Sequence, residues 1–207
     1  LEFEAETLRT CADLLSHFDA VSVREDSAVK MCDEWLDFDR AVHVPDPVML
    51  ADVSDYQRIA ERSRVRRAKG RIMTYILDPS ENKKAIVCQV RKWTGKDVED
   101  YSVNPHDRRV SLDERVVPPL EEWLSGFADA DFVVTDSFHG CVLSLMFHKP
   151  FIAVGNGQRG MARMRSLLDM FGLDQRLVHG IDPEDDGEFF LSQPDWDAVD
   201  AVLEEQR

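Results

Sequence analysis

Apolar positions along the chain alternate between two rhythms. Leu8, Cys11, Leu14, Leu15 and Phe18 recur at three- and four-residue steps, the spacing of one helical face, and the run "AVSV" that follows has the make-up of a short buried strand ending at Arg24. Val29, Cys32 and Leu36 resume the helical period, and "AVHV" is a second strand, closed by the two prolines of "PDPVML". "SDYQRIAERSRVRRAKG" reads as a surface helix with Ser54 as its cap and Gly70 at its end. "RIMTYIL" is a third strand, and "DPSENKKAIVCQVRKWTG" is helical in its later part. From Lys96 to Val117 few residues are apolar, which predicts a long loop. Leu120, Trp123, Leu124 and Phe127 then share one helical face behind two prolines and lead straight into the strand "FVVT". After it come the apolar "CVLSLMFH", the strand "PFIAVG", the helix "MARMRSLLDMFG" and a last amphipathic "DWDAVDAVLEEQ". No internal repeat is present.

Strands that are apolar throughout, separated by helices of ordinary length, imply a parallel sheet covered on both faces. The predicted fold is an α/β, doubly wound, Rossmann-like domain, with residues 1–207 forming a single unit. In such sheets ligands bind beyond the carboxyl ends of the strands, beside helix N-termini.

Charge narrows the choice of ligand. Forty acidic against 25 basic residues give a formal net charge of -15, a field that repels polyanions and argues against nucleic-acid binding. A small anion would have to be met by a local group of donors. No run is long and apolar enough for a membrane span. The four cysteines, Cys11, Cys32, Cys88 and Cys141, are far apart and lack metal-ligand spacing, so they read as reduced, buried, cytoplasmic thiols, and no metal is expected. The fingerprints GxGxxG, GxxxxGK[ST], GxSxG and HExxH are all absent. The tryptophans, Trp93 among them, fall at helical spacing and read as core or rim.

Candidate chemistry gathers at two strand-to-helix turns. In "FVVTDSFHG" the strand ends near Thr135, Ser137 can cap, and Phe138 opens a helix apolar nearly all round. Unpaired backbone N–H groups, a hydroxyl and the His139 imidazole on one first turn make a cradle for a phosphate or carboxylate. The same residues also suit a plain cap and a histidine bonded to a neighbouring loop. "GNGQRGMARMRSLL" repeats the arrangement one strand later, with Arg159 and Gly160 ahead of the helix and Arg163 one turn along; Met164, Leu167, Leu168 and Phe171 form its buried stripe. Two guanidiniums at one helix start can hold an anion bidentately, or can simply be a solvated face. Arg24, at the end of an early strand, can reach the same crevice.

The run "FVVTDSFHGCVLSLMFHKPFIAVGN" with "RGMARMRSLLDMFGLDQRLV", preceded in order by "FDAVSVREDSAVKMC" and "VPDPVML", resembles the polysaccharide pyruvyl transferase family. The resemblance implies the C-terminal, donor-binding half of a two-domain enzyme with a glycosyltransferase-B-like fold, its N-terminal acceptor half lying outside this sequence. It also implies phosphoenolpyruvate as donor, a saccharide or lipid-linked saccharide as acceptor, ketal formation with release of phosphate, no cofactor or metal, and a cytoplasmic site of action at the inner face of the membrane. Arg24 and His139 match positions that hold the donor, and Ser137, Phe138, Gly140, Asn156, Arg159, Gly160 and Arg163 fall within the matching turns. Cys141 stands where a small Thr is expected. Some members carry Arg-Leu where this chain has Ser137 and Phe138, so that positive charge has to come from Arg159 or Arg163. No general base is identified; Asp136 is within chain distance and can equally fix the turn. The alternatives are a nucleotide-sugar glycosyltransferase of the same fold, which needs an acidic residue for ribose and an apolar slot for the base, and a non-catalytic anion-binding domain.

Overall fold

The computed structural model describes residues 3–65, 69–102, 111, 116–155 and 161–207. Five strands form one all-parallel sheet: β3 (Arg71–Tyr75), β4 (Val98–Asp100), β5 (Ala130–Thr135), β6 (Phe151–Val154) and β7 (Leu177–Val178). Their spatial order is β4-β3-β5-β6-β7, so the chain builds outward from β3 in one direction and then returns to continue from its other side with β5. This is the doubly wound order with its switch point between β3 and β5, where the crevice beyond the carboxyl ends opens. β5, the "FVVT" strand, is central and lies between β3 and β6.

Side-chain alternation covers both faces. Met73, Val133, Phe151 and Ala153 point into the larger core, shared with α5 (Leu120–Asp129), α6 (Phe138–Met146), α7 (Met161–Met170) and α9 (Trp196–Gln206). Ile72, Phe132, Val134, Ile152 and Val154 point the other way, against α4 (Glu81–Thr94) and α8 (Glu188–Leu191). Because both faces are dry, these strands show no polar alternation, as the apolar runs predicted. Among the described residues, no helix is long and apolar enough to cross a membrane.

The first 60 residues are arranged differently from the rest. β1 (Ser22–Val23) and β2 (Val42–His43) pair with each other in parallel and stay outside the main sheet. They pack with α2 (Asp26–Leu36) around Cys32, Phe38 and Ala41. The turn Pro47–Leu50 lies against α6 and α3 (Val53–Ala60) against α5, so this segment backs onto the edge of the sheet where the helices begin. Tyr56 Oη donates to Val48 O at 2.8 Å and pins α3 to that turn.

Several sequence expectations are corrected. α1 (Ala5–Leu15) has the predicted periodicity but buries no residue fully, and Leu14 and Phe18 are exposed. Asp52, rather than Ser54, caps α3: its carboxylate accepts from Ser54 N at 2.8 Å, and the Ser54 hydroxyl and amide together lower its pKa. The helix ends at Ala60, well short of Gly70. Cys11 and Cys88 are exposed, and only Cys32 and Cys141 are buried; all four thiols are free. The polar stretch after Lys96 contains β4, an edge strand in which Asp100 accepts from Thr74 Oγ1 at 2.7 Å. Residues 103–110 and 112–115 of the expected loop lie outside the described residues. Arg176 is buried and donates to Phe151 O, Phe190 O and Ser192 O at 3.1, 3.0 and 2.8 Å, which ties β6 to the α8 segment. Burial pushes its pKa down to about 10, so it remains a cation at neutral pH.

Candidate functional site

The site starts from the stitched ends of β3 and β5. Thr135 Oγ1 donates to Tyr75 O at 2.7 Å and accepts from Ser137 N at 3.1 Å, which fixes where the strand stops. Asp136 turns inward. Its Oδ1 accepts from Leu77 N at 2.6 Å, and its Oδ2 accepts from Asp78 N at 3.0 Å and from Lys83 Nζ at 2.6 Å. Lys83 Nζ also donates to Asp78 O at 2.7 Å, and both side chains of this ion pair are buried. Asp136 therefore fixes the β3–α4 turn and does not face the crevice.

Ser137 caps α6 through its hydroxyl, which accepts from Gly140 N at 3.4 Å. Gly140 is a packing requirement: a Cβ built there would lie 2.2 Å from Thr135 Oγ1, far inside any contact. Gly140→Ala should push Thr135 off the stitch between β3 and β5 and cost about 1–3 kcal/mol, or about 2 to 12 °C in Tm by thermal denaturation. An unchanged Tm would show that the strand ends give way freely. The amides of Phe138 and His139 have no partner among the described residues, as expected of a first turn.

Residues distant in sequence converge over that first turn. The Arg24 and Arg163 guanidiniums stand 5.9 and 5.6 Å from the centroid of the Phe138 ring. Arg24 pairs through Nη1 with Asp46 Oδ2, and His139 Nε2 lies 3.7 Å from the same oxygen. Asp46 is buried, and its other oxygen accepts from Val48 N at 3.0 Å, capping the Pro47–Leu50 turn. One carboxylate thus pairs with Arg24 and lies near the imidazole, while nearly half of the His139 side chain (46%) stays open to solvent. Arg163 is set by its own helix: one turn along, Ser166 Oγ accepts from Asp26 N at 3.1 Å and lies 3.4 Å from His43 Nε2, locking α7 to α2 and β2. Two guanidiniums and an imidazole against one carboxylate leave this patch cationic in a chain of net charge -15.

Arg24, Ser137, Phe138, His139, Gly140 and Arg163 are therefore brought together. Of the two arginines expected to bring charge beside Phe138, Arg163 stands next to its ring. Asn156, Arg159 and Gly160 lie outside the described residues. The reading of the sequence passed over Asp46, whose proline-flanked position in "VPDPVML" was its only signal. It also passed over a slot of about 320 Å³ next to His139, walled by Tyr56, Tyr75 and Trp123 together with aliphatic side chains of α3, α5 and α6. The tryptophan read as core or rim thus lines an opening.

The model of the family described as polysaccharide pyruvyl transferase matches residues 2–158, a span that takes in Arg24, Asp46 and the whole Ser137–Gly140 turn. Nothing among the curated proteins matches the chain.

Proposed function

The chain belongs to the polysaccharide pyruvyl transferase family, and from that premise we propose that it binds phosphoenolpyruvate and takes part in moving its enolpyruvyl group onto two hydroxyls of a saccharide, or lipid-linked saccharide, acceptor. The observation that carries this reading is the convergence of Arg24, Arg163 and His139 over the open first turn of α6. The donor carries a phosphate and a carboxylate a few atoms apart. Two guanidiniums flanking one ring, with the Phe138 and His139 amides between them, suit two neighbouring anions better than one.

The chemistry asks for a proton and for charge stabilisation. Protonation of the donor's methylene carbon makes C2 electrophilic, and the first acceptor hydroxyl adds there. The C2–O bond to phosphate then breaks with its electron pair leaving on phosphate, and the second hydroxyl closes the ketal. One hydroxyl proton ends in the new methyl group and the other leaves with phosphate, so the step balances without a redox partner. We assign delivery of the first proton to His139, which is half open to solvent with Asp46 3.7 Å behind it, and neutralisation of the departing phosphate to Arg24 and Arg163.

The nucleotide-sugar alternative gains an apolar slot, but among the described residues none that lines it is acidic, as the ribose partner of that reading would be. Thermal denaturation with phosphoenolpyruvate, inorganic phosphate and uridine diphosphate separates the readings. Phosphoenolpyruvate at a hundred times its Kd should add about 2.7 kcal/mol, or about 5 to 10 °C in Tm, with phosphate weaker and the nucleotide inert. Stabilisation by uridine diphosphate alone would favour the glycosyltransferase reading, and a Tm unmoved by any of them would favour a domain without a ligand at this turn.

A further inference from the structure

The slot beside His139 is not used by the donor chemistry, yet it opens onto the same residue. It lies over the switch point of the sheet, between α3, the end of β3, and the first turns of α5 and α6. Its walls are Val48, Ile59, Leu124 and Leu143 on one side and the rings of Tyr56, Tyr75 and Trp123 on the other. At about 320 Å³ it is large enough for a small ring and falls at the lower end of ligand pockets in general.

The rings differ in what they offer an occupant. Trp123 Nε1 is enclosed by protein and has no hydrogen-bond partner among the described residues, so Trp123 presents its ring rather than its N–H to the slot. Tyr75 Oη has no partner among the described residues, whereas Tyr56 Oη is already spent on Val48 O. Burial, with Asp136 adding to it, holds the Tyr75 phenol above its usual range, so at neutral pH it is a donor. An occupant should therefore bring acceptor oxygens along with an apolar surface.

The ring geometry narrows the class further. Tyr75 and Trp123 meet edge to face, 5.2 Å apart at 64°, and Trp123 meets Phe127 at 85°. Among the described residues, these pairs form no parallel faces that could sandwich a flat base, and no carboxylate lines the slot to hold ribose. A pyranose fits both conditions: its C–H face packs on an aromatic ring, and its hydroxyls accept from an O–H donor.

We infer that this slot is the subsite for one pyranose ring of the acceptor, with Trp123 packing against the sugar's C–H face, Tyr75 donating to a hydroxyl and His139 standing at the boundary with the donor. The inference rests on pyruvyl transfer as the reaction and deepens it. The family resemblance assigns the acceptor surface to a preceding half of the enzyme, whereas this subsite gives the donor-binding chain a wall of its own for the sugar.

The test is a ligand-observed NMR titration with the methyl pyranosides of glucose, galactose and mannose, run on the wild-type chain and on Tyr75→Phe and Trp123→Phe. Each variant keeps a ring in place: Tyr75→Phe removes the donor, and Trp123→Phe shrinks the aromatic wall. At least one pyranoside should bind the wild-type protein, and each variant should weaken it about three- to tenfold while leaving phosphoenolpyruvate affinity unchanged. Absence of pyranoside binding, or the same affinity in both variants, overturns the subsite even if phosphoenolpyruvate binds as proposed. Binding of uridine or adenosine in the slot in preference to any pyranoside overturns it as well. Conversely, variant-sensitive pyranoside binding in a chain that ignores phosphoenolpyruvate keeps the sugar subsite and sinks the donor assignment.

Discussion

Asp136→Ala should lower stability by about 3–5 kcal/mol, with a fall in Tm of about 6 to 20 °C, the largest single-residue loss expected of any side chain near the site. The loss has two sources. Lys83, buried with the carboxylate at 2.6 Å, would keep only the Asp78 carbonyl as partner for its charge. The Leu77 and Asp78 amides, which now donate to Asp136, would lose their acceptor at the end of β3. Because the stranded ammonium is the greater part of the penalty, adding Lys83→Met to Asp136→Ala should cost much less than Lys83→Met does in the wild-type chain, a coupling that a double-mutant cycle in urea reads directly. A loss below about 1 kcal/mol for Asp136→Ala would mean that the turn holds without its carboxylate.

Most of the scaffold was written in local pattern. β5 and α6 were legible because they are dry on every side, and a continuous apolar run has few other places to go. β4 was not. An edge strand of Val98, Glu99 and Asp100 pairs through its backbone with β3 and owes its place to that neighbour, not to an apolar run of its own. β1 and β2 were found as strands, but their separation from the main sheet is a tertiary fact with no local signal. Arg24 and His139 were legible since each ends or begins an element at the expected edge of the sheet. Asp46 was not, because its role exists only where "VPDPVML" is folded against α6 and one carboxylate oxygen meets both residues. The slot was hidden for the same reason: Tyr56, Tyr75 and Trp123 belong to three elements, and at helical spacing Trp123 cannot be told from a core residue. Arg176 stands apart, since a buried arginine held by three carbonyls reads in sequence as one more surface cation.

Arg24→Ala and His139→Ala should each weaken phosphoenolpyruvate roughly tenfold to a hundredfold, the loss of a charged hydrogen bond of about 1.5–3 kcal/mol. Both residues approach the α6 N-terminus from the side of Asp46, so each substitution removes one donor while the Phe138 and His139 amides remain. Stability without ligand should change little for His139→Ala, whose side chain is 46% exposed, and more for Arg24→Ala, which leaves the buried Asp46 carboxylate without its cation. Arg163→Ala should act in the same direction through the other side of the Phe138 ring. His148 is the internal control. It sits past the far end of α6, stacked on Trp196 at 4.9 Å and bonded to Asp200 at 2.9 Å, so His148→Ala should leave the anion untouched. Calorimetric titration of the four variants with phosphoenolpyruvate gives the decision: equal losses in all four would mean a general effect of charge on an acidic chain, and wild-type affinity in His139→Ala would make the imidazole structural and leave the donor to the arginines alone.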